Sequence, residues 1–556
     1  MSRLNCATRS SSLMARGFLC LRQRNAGYAN TNSCRTVQRA RRYVPVSYHK
    51  LSYRWHAAHM SLEASESHPF KGFSQGSHTL NVPMQLHKDV RQRVVDIARA
   101  NVQPGSDPSG SFILLQGGTA DHRHATDIEP VFRQESYFHY LFGVGEEQCI
   151  GAIDLATGCS YLFVPRLPDE YAVWMGEIRS LEHFKAKYEV DEVHYTDEFT
   201  SVLKGLASRL LVLRGENTDS GRQVSPPPCL DLLPHAKVDS VTLFPAINEC
   251  RVHKSASELE VMAYVNRISS AAHVEVMRAC KPGMMEYQLE SLFQHEVYSK
   301  GGCRHVAYTS ICASGENSAV LHYGHAGAPN NRCMQEGDLV LLDMGAEYHC
   351  YASDITCTLP VSGRFSIDQR LVYEGVLRAH TAVIAAMAPG VAWPDMHLLA
   401  ERHILQALLE GGILRGELED LVQHRVAAIF MPHGLGHLLG IDTHDVGGYP
   451  KDGPARRTEP GLKSLRTARV LEEGMVITVE PGCYFNKYLL HKAEADPVIA
   501  QFFIWEAVKR CIPMGGVRIE DNVVVTSSGS RSLTNVPRTV EEIEAVMSGA
   551  SWPHSG

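Results

Sequence analysis

Residues 337–361 read GDLVLLDMGAEYHCYASDITCTLPV. Two apolar runs flank a short polar break, and each run carries one carboxylate, Asp343 and Asp354. The pattern predicts two strands joined by a turn at 344–347, with Asp343 ending the first strand and Asp354 inside the second. An unpaired carboxylate in an apolar strand is costly. Two of them, brought face to face by a hairpin, point to a bound cation.

Three further stretches extend the set. Residues 475–480, MVITVE, read as a strand ending in Glu480 and stopped by Pro481 and Gly482. Residues 516–525, GVRIEDNVVV, read as a strand whose alternation puts Arg518 and Glu520 on one face and Val517 and Ile519 on the other. Taken alone, that strand equally fits a buried Arg518/Glu520 ion pair. Residues 430–448, FMPHGLGHLLGIDTHDVGG, hold His433, His437 and His444. The H-x3-H spacing resembles a helical zinc motif, but Gly434 and Gly436 oppose a regular helix and no Glu follows His433. The glycines instead let backbone pass close to a ligand, so one histidine is expected to bind metal with the others as neighbours.

Four carboxylates and one imidazole make a hard, oxygen-rich donor set. It suits two adjacent divalent ions better than one structural zinc, and such a pair is a device for hydrolysis at neutral pH. His322 in a Gly/Ser/Asn-rich segment (309–327) and Arg466 in SLRTARVLEEG (464–474) are polar candidates beside it. A guanidinium can clamp a carboxylate through two parallel bonds; a turn histidine and a surface salt bridge are their plainer readings.

The stretches 272–302 and 379–412 echo one another. In each, Ala-His leads a helix, Pro-Gly follows the His at the same spacing, a second helix runs on, and Gly-Gly closes it. This implies two similar halves with a site between them. The expected fold class is mixed α/β (α+β). Residues 63–250 form a first α/β domain on a mixed sheet, 251–537 form the catalytic domain with its pseudo-two-fold halves, and 538–556 form a tail. Residues 255–269 open the second domain with two overlapping capping boxes, Ser255/Glu258 and Ser257/Glu260. His122, His124 and Asp127 in the first domain read as a polar surface turn.

Charge is unevenly spread. Positions 1–60 hold ten Arg and one Lys with no Asp or Glu before Glu63, while the whole chain carries −7. An acidic body excludes nucleic acid as the main partner. The leader, 1–62, has the composition of a mitochondrial transit peptide, or is an upstream extension with translation starting at Met60; it is expected to be disordered. The 15 Cys are scattered with no CxxC pair, which fits reduced thiols in the cytoplasm or, by way of the leader, the mitochondrial matrix. No apolar run reaches the ~18–20 residues of a membrane span.

These motifs, in this order, resemble the metallopeptidase family with the pita-bread fold, and within it the branch that cleaves Xaa-Pro dipeptides. The resemblance runs from FKGFSQGSHTLNVP (70–83) to about Leu533 and includes FRQESYFHYLFGV, LFVPRLP, LRGENTDSG, CASGENSAVLHYGHAGAPN and EPGLKSLRTAR. It implies an N-terminal aminopeptidase P/creatinase-like domain followed by a pita-bread catalytic domain. By that resemblance Asp343, Asp354, His437, Glu480 and Glu520 hold two divalent ions, with Mn2+ the expected metal, and Asp354 and Glu520 bridge them. Glu480 shuttles a proton, His444 stabilises the oxyanion, and His322 orients substrate. Arg466 pairs with the free carboxylate of proline, and Arg518 sits beside the bridging Glu. Trp174 matches a loop that reaches a neighbouring subunit, so a homodimer is expected. The implied activity is hydrolysis of Xaa-Pro dipeptides to release proline. The alternative is an Xaa-Pro aminopeptidase acting on X-Pro-Y peptides. A binding module or a metal-free amidinohydrolase on the same fold would have no need of all five ligands. Cys483 and Ala346 depart from the family pattern without touching a ligand.

Overall fold

The computed structural model describes residues 72–102 and 107–553; the basic leader lies outside them. The first domain begins with helix α1, Gln85–Asn101, whose Leu86, Val90, Val94, Val95 and Ala98 are buried along one stripe, as helical periodicity requires. Next come β1 (Ser111–Gln116), α2 (Ser136–Phe142), β2 (Ile150–Asp154), β3 (Ser160–Val164), β4 (Glu192–Tyr195), β5 (Arg209–Leu211) and β6 (Lys237–Asp239). The sheet order is β4-β3-β2-β1-β5-β6. β1–β2 and β2–β3 pair antiparallel, whereas β3–β4, β1–β5 and β5–β6 pair parallel. The sheet is therefore mixed, and the apolar stretches 112–115, 150–153, 161–164 and 210–213 supply its central strands. His122, His124 and Asp127 lie exposed in a loop.

The second domain opens with helix α3, Ala256–Ala279, capped by one box. Ser255 Oγ accepts the Glu258 N–H at 3.3 Å, and the Glu258 carboxylate accepts the Ser255 N–H at 2.8 Å. Such a cap contributes about 1 kcal/mol. Glu258 also accepts from Arg93 of α1 at 3.2 Å and from the Tyr351 hydroxyl at 3.1 Å, so one residue both starts the helix and ties the domains together. The overlapping Ser257/Glu260 box does not form, because both residues already lie inside the helix.

Helix α4, Glu286–Gly301, packs on α3. β7 (Ile311–Ser314), β8 (Leu339–Asp343), β9 (Ala346–Tyr348), β10 (Tyr351–Ala352) and β11 (Thr356–Pro360) follow. The second half repeats the plan with α5 (Ile367–Ala386) packed on α6 (Trp393–Glu410), then β12 (Val476–Val479), β13 (Gly482–Tyr484), β14 (Gly516–Arg518), β15 (Asp521–Thr526) and β16 (Gly529–Ser532). The sequence echo is structural. Gly283 and Gly390 after the prolines have φ 86° and 91°, and Gly302 and Gly412 at the closing caps have φ 66° and 63°. All four occupy the region open to glycine. The two Ala-His histidines also correspond. His273 Nε2 meets the Met344 carbonyl at 2.9 Å, beside Asp343. His380 faces Asp521 at 3.4 Å, beside Glu520.

The hairpin of 337–361 differs from its expectation in two respects. Its turn lies at His349–Cys350, between β9 and β10, not at 344–347. Both turn residues have positive φ, 48° and 63°, which non-glycine residues seldom take, so local turn chemistry gave no cue. Gly345 instead marks a crossing: a Cβ there would lie 1.8 Å from the Ser353 carbonyl oxygen. Asp354 sits in the break between β10 and β11 rather than within a strand, and the residue opposite Asp343 is Thr356.

Val540–Met547 is a helix with Val540, Ile543 and Val546 buried. Arg538 before it donates to the Thr356 carbonyl at 2.8 Å, to the Asp521 carboxylate and to the Glu520 carbonyl.

Candidate active site

A cavity of about 690 Å³ opens between the two halves of the second domain. Asp343, Asp354, His437, Glu480 and Glu520 line it, as do His322, His444, Arg466 and Arg518. Residues separated by up to 198 positions in the chain thus share one wall. Asp343 ends β8; Glu480 follows β12; Glu520 lies between β14 and β15. Strand ends and strand breaks are where a side chain can turn toward an opening while its neighbours stay in the core.

His437 shows how closely the backbone fixes a donor. It lies in a loop alongside β12, where its N–H donates to Thr478 Oγ1 at 3.0 Å and its carbonyl accepts the Thr478 N–H at 2.9 Å. Gly436 permits this approach, since a Cβ there would lie 1.9 Å from the Thr478 carbonyl oxygen. His437 Nδ1 lies 3.0 Å from the Leu438 carbonyl. A carbonyl only accepts, so Nδ1 carries a proton, and Nε2 faces Asp354 Oδ2 at 3.3 Å and Glu480 Oε1 at 3.6 Å, which raise the ring's pKa against burial. A histidine whose far nitrogen is pinned by a backbone carbonyl is a standard metal-ligand arrangement.

The carboxylates are oriented in the same way. Thr356 Oγ1 donates to Glu520 Oε2 at 2.6 Å, and Thr478 Oγ1 donates to Glu480 Oε1 at 3.3 Å. Arg518 donates to Asp343 Oδ2, to Thr356 Oγ1 at 3.0 Å and to the Tyr484 hydroxyl at 2.9 Å. Its guanidinium is buried and turned to these protein groups, so its observed task is to hold Asp343. Asp343 Oδ1 is buried and accepts no hydrogen bond.

Crowding of like charge dominates the electrostatics. Burial, with Asp354, Glu480 and Asp343 around it, pushes Glu520 well above the usual carboxylate range. Burial also raises Glu480 to about 7, against the pull of His437 and Arg518, and raises Asp343 to about 6, against Arg518. Asp354 goes the other way: burial opposes ionisation, but the hydrogen-bonding His437 ring outweighs it. Charges packed this way need a compensating cation. Asp354, His437 and Glu520 offer donor atoms all within 4.8 Å of one another. The orphaned Asp343 oxygen, the oriented His437 Nε2 and the oxygen-rich donor set fit divalent metal.

Opposite the carboxylates, His444 stands edge-on to His437 with ring centroids 4.5 Å apart. Burial, then the neighbouring His437 and Arg466, lowers its pKa to about 3, so its ring is neutral with an N–H to donate. Burial, with Arg518 and Arg466, also lowers His322. Arg466 Nη1 lies 3.5 Å from Asp219 Oδ2. Asp219 belongs to the first domain, where the sequence showed no site residue; its role is visible only once the domains meet. Tyr308 and His433 also line the cavity. His433 Nε2 lies 3.0 Å from the Tyr484 hydroxyl, and Tyr308, half-buried with its hydroxyl enclosed, stands near Asp343, Asp354 and Glu520, whose charges add to desolvation in raising it. Nothing in the segment around Tyr308 marked it beforehand.

The sequence model of metallopeptidase family M24 matches residues 260–527, and that of the aminopeptidase P N-terminal domain matches 87–212. The Xaa-Pro dipeptidase of Homo sapiens is 57% identical over 488 residues, 87% of this chain and 98% of that protein. The chain belongs to metallopeptidase family M24. The Mus musculus Xaa-Pro dipeptidase is 56% identical over the same shares. A probable Xaa-Pro aminopeptidase of Verticillium alfalfae is 36% identical, covering 82% of this chain and 96% of that one. Among solved structures, Pseudomonas aeruginosa aminopeptidase PepP superposes with TM-score 0.68 at 32% identity, over 84% of this chain and 98% of that one. Zn-substituted E. coli aminopeptidase P in complex with product gives 0.68 at 29%, over 85% and 100%. These likenesses bear out the two-domain, pita-bread expectation.

Proposed function

We propose that this M24 chain hydrolyses Xaa-Pro dipeptides and releases proline. The observation that carries the reading is the convergence of five metal-donor residues with His322, His444 and Arg466 on a single cavity, in a chain 57% identical to an Xaa-Pro dipeptidase over nearly that protein's whole length. Asp343, Asp354, His437, Glu480 and Glu520 would hold two divalent ions. We take Mn2+ as the working metal because the shell is mostly hard oxygen. When bound, the ions supply Lewis acidity that brings a water's pKa toward neutrality and polarises the scissile carbonyl.

The chain's own residues do the rest. Glu480 accepts the proton of the attacking water and passes it to the proline nitrogen as the C–N bond breaks. That nitrogen carries no hydrogen in the intact imide, so the delivered proton is what lets it leave as an amine. His444 donates its N–H to the oxyanion of the tetrahedral intermediate, and His322 aligns the substrate. Arg466, held at the cavity by Asp219, pairs with the free carboxylate of proline and so limits the substrate to two residues.

The exposed helix Tyr171–Met175 carries Val173, Trp174 and Met175 at 79%, 82% and 72% exposure. Such an apolar group on the surface supports the proposal that two copies associate through it, and light scattering of wild type against Trp174→Ser tests that. Among the described residues no helix is long and apolar enough to cross a membrane. We place the chain in the cytoplasm, with the mitochondrial matrix as the alternative; cell fractionation decides between them.

The activity test is hydrolysis of Gly-Pro against Gly-Pro-Ala with Mn2+ present and then chelated. Metal-dependent release of proline from the dipeptide alone is the expected result. Cleavage of the tripeptide would assign an aminopeptidase instead, and no turnover of either would overturn the reading.

A further inference from the structure

A second histidine cluster lies apart from the active site. His87 comes from α1, His139 from α2, and His349 from the turn between β9 and β10. All three are buried, at 0%, 3% and 8% exposure, and one ring nitrogen of each lies within 4.8 Å of the others. His87 Nδ1 lies 3.0 Å from the Tyr140 carbonyl, and His139 Nε2 lies 3.1 Å from the His349 carbonyl. Both nitrogens must therefore be the protonated ones, which leaves lone pairs on His87 Nε2 and His139 Nδ1. His139 Nδ1 is buried and completes no hydrogen bond. His87 Nε2 faces His349 Nε2 at 2.8 Å.

Three neutral imidazoles supply three N–H groups. Two are committed to carbonyls, and the third serves the 2.8 Å contact between His87 and His349. That leaves His139 Nδ1 as a buried lone pair without a hydrogen-bond partner, a costly feature in a purely structural network. Burial holds the rings neutral: His87 falls to about 4, and His139 and His349 fall well below the usual histidine value. Neutral imidazole, with its far nitrogen fixed by a backbone carbonyl, is the ligand form.

We propose that His87, His139 and His349 form a further metal site, for one imidazole-preferring divalent ion of the zinc class. It lies at the junction of the first domain with the hairpin that carries Asp343 and Asp354. Ligand nitrogens at ~2.0–2.1 Å around a tetrahedral ion stand about 3.3 Å apart. The His87 and His349 rings must part by roughly 0.5 Å to admit one, a side-chain adjustment. The surroundings also decide which ion. The cluster has no carboxylate of its own. Arg91 and Arg133 lie near enough to disfavour positive charge on it; Arg91 is spent on the Leu141 and Glu189 carbonyls, and Arg133 on Glu347. Hard ions such as Mn2+, bound mainly through charge, gain little here, whereas Zn2+ or Co2+ gains from nitrogen donation. Phe73 stacks on His349 at 4.5 Å. The ion would pin the positive-φ His349–Cys350 turn to α1 and α2, and through that turn the two strands leading to the catalytic carboxylates.

The test starts from the full chain loaded with Mn2+, titrated with Zn2+ and in parallel with more Mn2+. Metal per chain is counted after desalting, and Tm is recorded. The expected result is three ions per chain with Zn2+ but two with Mn2+, and a rise of a few degrees in Tm at a hundredfold excess over Kd. His87→Gln and His349→Phe should each return the count to two and abolish the rise, while Mn2+-supported activity stays within about twofold. A wild type that never exceeds two ions overturns the proposal, as does a third ion kept by both variants. Should neither variant fold, anomalous diffraction from Zn2+-loaded wild-type crystals decides: a peak among the three rings supports the site, and its absence removes it.

Discussion

Substituting Gly436 by Ala isolates the one place where a single methyl group should reach the metal centre through backbone alone. The new Cβ would stand 1.9 Å from the Thr478 carbonyl oxygen and 2.8 Å from its carbon, with no flexible side chain to yield. The loop must retreat from β12 by about 1.1 Å merely to reach 3.0 Å. That movement stretches both main-chain links of His437 to Thr478, now 3.0 and 2.9 Å, beyond hydrogen-bonding range. Two buried bonds lost at ~1–3 kcal/mol each predict a destabilisation of about 2–6 kcal/mol. His437 Nε2, now 3.3 Å from Asp354 and 3.6 Å from Glu480, moves by a similar distance, and a 1 Å misplacement of that kind costs on the order of 10²-fold in rate. The assay is threefold: Tm by calorimetry, metal retained after desalting, and kcat on Gly-Pro at saturating Mn2+. Gly205→Ala is the control, since nothing lies within 4 Å of its Cβ; it should be neutral or slightly stabilising. If Gly436→Ala matches wild type in Tm and metal retention, the steric argument for this loop is wrong.

Three other outcomes are expected. Arg466→Met should lower kcat/KM for Gly-Pro by ~10–150-fold, the loss of a charge-assisted bond of about 1.5–3 kcal/mol. Gly-Pro-Ala, which wild type should leave intact, should lose nothing, and an unchanged kcat/KM for Gly-Pro would deny Arg466 its role as length gauge. Arg538→Met should destabilise the chain by ~3–5 kcal/mol by leaving the buried Asp521 carboxylate without its partner; denaturant titration reads this, and a shift under 1 kcal/mol would mean that the Glu520 strand needs no such brace. His273 supplies a pH test. Burial lowers its pKa to about 4, below the ~6.5 of the unfolded chain. Between those values the unfolded state binds the extra proton, so the stability held above pH 6.5 is lost as pH falls toward 4, by up to ~3.4 kcal/mol. Wild type should therefore lose more Tm over that window than His273→Asn, measured on metal-free chain, and parallel curves would refute the assignment.

Much of the site was legible in the chain because each donor sits in a stretch of local pattern. Glu480 follows an apolar run stopped by Pro-Gly, and Asp343 ends another. His437 lies among glycines too dense for a helix. The duplicated helix pairs were legible for the same reason, since Pro-Gly and Gly-Gly act on the residues beside them and left matching positive-φ glycines in both halves. These readings needed only interactions between near neighbours, and the chain order itself records those.

Tertiary structure alone decided what depends on distant segments. The hairpin turn fell at His349–Cys350 because packing against Phe73, His87 and His139 holds a conformation these residues would not choose. Asp219, 247 residues before Arg466, became its partner only when the domains met. Arg518, placed by the sequence only beside Glu520, donates to Asp343, Thr356 and Tyr484. The three histidines of the proposed zinc-class site lie on two helices and a turn, with no common motif. A donor's identity and its local backbone are properties of sequence. The direction a buried side chain faces is set by the few partners that can satisfy it there, and those partners are chosen by the fold.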